Sequence, residues 1–393
     1  MNGVGPLLVG GAHLSHRNGN ELQQAINAAI ASGAPSFTIG VGDWVFTSDS
    51  EPKRSRPGVS LLIAGASNLR LSGAGPNHTS LWFNPGFGID VEDCQNVTLE
   101  GFAVDTLTPA FSQGELLSLD LAAKRATLHV EATFPLPNDA SLFNQTCPDG
   151  SGGICGEIKA VFWDPATRRM LQSQQMQNPM GSANCSERTC TVGLAALDGD
   201  WVDPPPPGTL LTLSPRLWAS KYPIPTFYKG TIGVYNCSGS LFQDIDTFGG
   251  GDMVWVEHLG EGGNTYRRVR VARRAAATGG GPLPYAPRLL AANDDGFHSM
   301  STGVGPTVED SELSFIADDF LNVHNRLLVC TAGFGPSCCR VLPSDPSTRE
   351  VHGAPLPWRS LSPGSLWTRG RLGSSTSAPR LAMATSAPHT TAR

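Results

Sequence analysis

The chain has 393 residues, of which 40% are hydrophobic and 16% charged, and its net charge is −6. That length and apolar content build a sizeable core in one large or two to three ordinary domains and exclude a chain that is disordered throughout. The acidic balance argues against a nucleic-acid partner, whose phosphates are bound by clustered Lys and Arg, although the segment from Val341 onward is itself basic. No run approaches the roughly 18 apolar residues of a membrane span, so no transmembrane segment is expected either.

The N-terminal segment 1–19 lacks the basic start and long apolar run of a secretory signal. Asn20 then reads as the N-cap of an amphipathic helix through Ser32, with Leu22, Ala25, Ile26, Ala29 and Ile30 on one face and Gly33 as its stop. Short apolar runs bounded by Gly, Asn and Ser follow at Phe37–Ile39, Trp44–Phe46, Val59–Ile63, Leu69–Leu71, Leu81–Phe83, Ile89–Val91 and Val97–Leu99. They are too short for helices and predict strands.

An internal repeat gives these strands an arrangement. Ile89, Val91 and Cys94 recur at the same spacing as Ile232, Val234 and Cys237, with a looser copy at Pro306, Val308 and Ser311. Alternating apolar residues that recur coil after coil predict an all-β fold, a right-handed parallel β-helix. The helix over 20–32 caps its open edge, and Cys94 and Cys237 stack inside it as buried residues. The expected organisation is a first part of the β-helix over 20–110, a second part over 217–335 that carries the site, and a low-complexity, disordered tail over 336–393. Between the two parts, 111–216 interrupts the coils as an inserted small all-β, barrel-like subdomain.

The insertion holds Cys147, Cys155, Cys185 and Cys190, which read as two disulfides of open pairing. Together with sequons at Asn77, Asn96, Asn144, Asn184 and Asn236, they place the protein outside the cell or in the secretory pathway.

The chemistry concentrates in 293–325. Asp294, Asp295 and His298 open this stretch and Asp318, Asp319, Asn322 and His324 close it, with 24 residues from Asp295 to Asp319. One coil apart in sequence means adjacent strands about 4.8 Å apart in space. Paired carboxylates at that distance suit glycosidic hydrolysis, in which one acid protonates the leaving oxygen and a second activates water or attacks. Asp residues that only hydrogen-bond turns, or that hold a divalent ion, are the competing readings. Trp255 is first a core residue and second a platform for a sugar ring, with Glu257 and His258 beside it. The Gly-rich stretches lack the strand and helix context of a nucleotide loop, and no metal-binding Cys/His spacing occurs, so neither metal nor cofactor is expected.

These residues resemble the parallel β-helix α-1,3-galactosidases. The resemblance rests on TPAFSQGELLSLD (Thr108–Asp120), ANDDGFHS (Ala292–Ser299) and GPTVEDSELSFIADDFLNVHN (Gly305–Asn325). It implies an inverting, exo-acting, metal-independent glycosidase for a galactose-containing glycan or polysaccharide. Asp295, Asp318 and Asp319 would be its catalytic carboxylates, with His298, Asn322 and His324 nearby. The candidate substrate contacts, read from the residues as well as the resemblance, are Asp294, His298, Asn322, His324, Glu309, Trp255 and Glu257. The family continues past the Asn-Val-His run with further coils, whereas this chain turns to low-complexity sequence, and Asn325 stands where the family has Gly. A pectin-acting hydrolase or lyase on the same architecture, or a non-catalytic glycan-binding adhesin, are the alternatives.

Overall fold

The computed structural model describes residues 16–46, 59–85, 88–139, 142–143, 157–194, 204–215, 230–250, 253–274, 287–324, 328–333 and 339–343. Cys147, Cys155, Asn144, Asn325, Gly279–Gly281 and the tail beyond 343 lie outside them. The chain divides into two compact units, 1–326 and 327–393. Within the second, the strands Leu328–Gly333 and Cys339–Pro343 pair antiparallel.

The one described helix spans Gly19–Ala31 and starts two residues earlier than expected, because Asn18 rather than Asn20 is its cap and accepts a hydrogen bond from Asn20 N. Leu22 and Ile26 face the core, and the Gln23 side chain makes two hydrogen bonds with the backbone of Leu62. Each of the seven expected runs overlaps a strand.

The expected single right-handed parallel β-helix is corrected by the sheets. The described residues form a ten-stranded sheet and a six-stranded sheet with parallel pairings, a closed antiparallel barrel, and the two-stranded antiparallel sheet of the second unit. The reason lies in the uneven connections: the return from Trp255 to its neighbour Phe297 takes 42 residues, and that from Ile89 to Ile232 takes the whole of the barrel. A constant period near 24 residues does not run through the chain.

The strict repeat is nevertheless physical. In the six-stranded sheet Leu61 pairs with Ile89, Ile89 with Ile232, Ile232 with Trp255, Trp255 with Phe297, and Phe297 with Leu321. The looser copy is different: Val308 pairs with Tyr266 in the ten-stranded sheet, so it is no third copy of Val91 and Val234. Turns leaving the six-stranded sheet use left-handed residues at matching places, Gly65, Asp93, Asn236, Leu259 and Ser301.

Both parallel sheets bury their facing side chains in one core that includes Ile63, Val91, Val234, Phe242, Trp255 and Phe297. Cys94 and Cys237 are free thiols buried in it. Burial of this kind contributes about 25 cal/mol per Å² of apolar surface, which is what holds strands that have few local contacts.

The barrel strands are Ser112–Asp120, Arg125–Val130, Glu157–Trp163, Met170–Ser186, Thr189–Leu194 and Leu210–Pro215. Closure leaves no strand edge open. A disulfide joins Cys185 to Cys190 across one hairpin. The barrel core also takes in Leu289, Leu290 and Ala317, which flank the aspartate-rich stretches. A second tie is polar: Gln113 of the barrel donates to Pro287 O and accepts from Leu289 N. Nearby, Arg274 and Arg288 both pair with the fully buried Asp105.

Candidate active site

The six-stranded sheet sets the geometry. Phe297–Met300 lies between Met253–His258 and Leu321–His324, with Val256, His298 and Asn322 side by side. Just before these strands, Gly296 N donates to Asp319 O at 2.9 Å, so 294–296 runs along 318–320. Gly296 fits a crowded place: a Cβ there would sit 2.3 Å from Ile316 Cδ1 and 3.0 Å from Phe320 O, so the Ile316 side chain would have to move.

Asp295 is buried, and its Oδ2 accepts from two directions. His298 Nδ1 lies 2.5 Å away and Asn322 Nδ2 3.2 Å away. His298 is buried as well, and its Nε2 lies 3.1 Å from Nε2 of the exposed His324. Of two ring nitrogens at that distance one must donate and the other accept. If Nδ1 of a neutral His298 donates to the Asp295 carboxylate, its Nε2 accepts and His324 donates.

The second half of the site comes from the barrel. Lys159, on Glu157–Trp163, has no exposed side-chain surface; its Nζ donates to Asp294 Oδ1 at 3.0 Å and also to Asp318 Oδ2. One carboxylate oxygen from each of Asp294, Asp295 and Asp318 falls within 4.8 Å of the other two. Asp318 Oδ1 further accepts from Asp319 N at 3.1 Å. Asp319 itself is exposed.

Six of the expected site residues therefore gather around Asp295: Asp294, Asp318, Asp319, His298, Asn322 and His324. Three do not. Trp255 is completely buried against Phe242 and Tyr266, so no sugar ring can stack on it. Glu257, on the same strand and the same inward face, binds Asn264 Nδ2 at 2.6 Å and Ser299 Oγ at 2.7 Å. Burial pushes its carboxyl above the usual glutamate range, against the hydrogen bonds that partly oppose it. Glu309 pairs with Arg267 in the ten-stranded sheet.

Lys159 was not singled out from the sequence. Its only signal was a cation at the head of the apolar run Ala160–Trp163.

Chemically, the site offers a carboxylate oriented by an imidazole and two further carboxylates, Asp294 and Asp318, each with an oxygen within 4.8 Å of it. Neither a protein-family model nor a curated protein matches the chain.

Proposed function

We propose that the protein is a glycoside hydrolase acting on a galactose-containing glycan, with Asp295, Asp318 and Asp319 as its reacting acids. The observation that carries this reading is the approach of Asp295 and Asp318 within 4.8 Å on neighbouring chain segments, with His298 orienting Asp295. Two carboxylates in reach of one glycosidic bond are the minimum equipment for its hydrolysis.

Roles follow from the hydrogen bonds. Asp295 accepts from both His298 and Asn322, an arrangement suited to a base or nucleophile. Asp319 follows Asp318 in the chain, its backbone bonded to Gly296, and its exposure leaves it open to meet a leaving oxygen. An inverting pair stands roughly 6.5–9.5 Å apart to admit water, and a retaining pair about 5–5.5 Å. The nearest oxygens of Asp295 and Asp318, within 4.8 Å, stand closer than the inverting spacing, and on this reading the exposed Asp319 is the second acid of an inverting reaction. An extracellular or secretory setting is part of this proposal, supported by the Cys185–Cys190 disulfide.

The test is turnover of chromogenic α-galactosides by the wild type, Asp295→Asn and Asp319→Asn, with the first-released anomer read by proton NMR. Loss of turnover in both variants supports the assignment, and unchanged turnover in either removes that residue from it. Wild-type binding of glycan without hydrolysis would favour a binding module instead.

A further inference from the structure

The carboxylate cluster and the barrel together carry one step more. Three aspartate oxygens within 4.8 Å of each other repel, and such an arrangement persists only with positive charge or donors among them. A divalent ion bound by carboxylates is one way to supply that charge. Here the protein supplies it covalently. Lys159 Nζ reaches Asp294 and Asp318 together, while His298 and Asn322 serve Asp295. Each carboxylate of the cluster thus has a named protein donor.

A lysine with no exposed side-chain surface is rare unless paired, because desolvating an ammonium costs several kcal/mol. Lys159 is held in place by the barrel ladder, where it pairs with Ser214 on one side and Gln177 on the other. Its partners lie on two segments outside the barrel, before Phe297–Met300 and before Leu321–His324. The ammonium therefore ties three separate pieces of chain at the point where the candidate reaction occurs.

We infer that Lys159 is a positioning residue that stands in place of a metal ion, holding Asp294 and Asp318 in register and making the candidate site complete only when the barrel is folded against it. The role rests on the glycosidase reading for its consequence, the spacing of Asp318 from Asp295. Its physical content, a tethered cation in a carboxylate cluster, does not. It implies that removing the ammonium turns the cluster into a cation site.

Calorimetric titration of the full chain with calcium and with manganese(II) tests this. Lys159→Met is expected to take up one ion at least about tenfold more tightly than the wild type, with the gain abolished by adding Asp318→Asn. Lys159→Arg, which keeps the charge, should behave as the wild type. Should Lys159→Met fold poorly, recovery of its folded yield by millimolar calcium reads the same point, and no recovery overturns the inference. Wild-type ion uptake that disappears in Asp318→Asn would also overturn it, since the cluster would then be a metal site alongside the lysine. On α-galactosides, kcat of Lys159→Met should fall and recover in part with added calcium while KM changes little. A wild type that hydrolyses no galactoside sinks the glycosidase reading but leaves the ion-binding result standing.

Discussion

His298 Nε2 stands 3.1 Å from His324 Nε2, and the opposite nitrogen of His298 lies 2.5 Å from Asp295. The buried carboxylate is thereby linked through one buried imidazole to an exposed one. Replacing His298 by Phe keeps a planar ring but removes both contacts, and kcat on an α-galactoside should drop about 100-fold with folding preserved by circular dichroism. The exposed His324→Phe change should cost less. Equal activity of His298→Phe and wild type would show that the imidazole does not serve Asp295.

Glu257 gives a pH dependence of stability. Its ordinary value of 4.5 is raised in the folded chain, chiefly by burial. The folded state then holds the proton more tightly than the unfolded chain. The associated stability is fully present below the ordinary glutamate value and is lost as pH rises through that value toward the raised one. Glu257→Gln has no such loss. Its melting temperature relative to wild type should therefore improve from about pH 4 to about pH 8, and a difference constant with pH would argue against the shift.

Asp105 and Arg288 form an ion pair with neither side chain exposed, and Arg274 joins from the edge. Arg288→Met leaves Asp105 with less compensation and should cost about 3 kcal/mol in urea unfolding, at the low end of buried-pair losses because Arg274 remains. Adding Asp105→Asn should return part of that loss. Additive losses would mean the two residues do not act as a pair.

Trp255 separates a core role from a binding role. Trp255→Ala should destabilise the chain by about 3–5 kcal/mol through the cavity it leaves, whereas Trp255→Phe should cost less and leave galactoside KM unchanged. A KM increase in a stably folded Trp255→Phe would reverse the assignment of this side chain to the core.

Much of the local structure was legible because it depends on near neighbours. Apolar alternation marked Leu81–Phe83 and Ile89–Val91 as strand, and the spacing shared by Ile89 and Ile232 marked a pairing that the ladder contains. The placing of Asp295 next to Asp319 followed from the length of the return between them, and the backbone bond from Gly296 to Asp319 fits that length. Val308 misled because its spacing copies that of Val234 while its ladder partner lies in the other sheet. Glu257 misled because its residue type suits a sugar as well as an interior; for Trp255 the core reading came first and its complete burial agrees with it, the strand's facing direction separating the two.

The sequence by itself determined which residues could do chemistry and which short runs would be strands, since composition and period two are properties of a segment. Tertiary structure alone decided how the strands divide into sheets and barrel, and which carboxylates meet. Lys159 belongs to that second kind. It is 135 residues from Asp294 along the chain, and no local pattern encodes an ion pair whose strength comes from burial shared by distant segments.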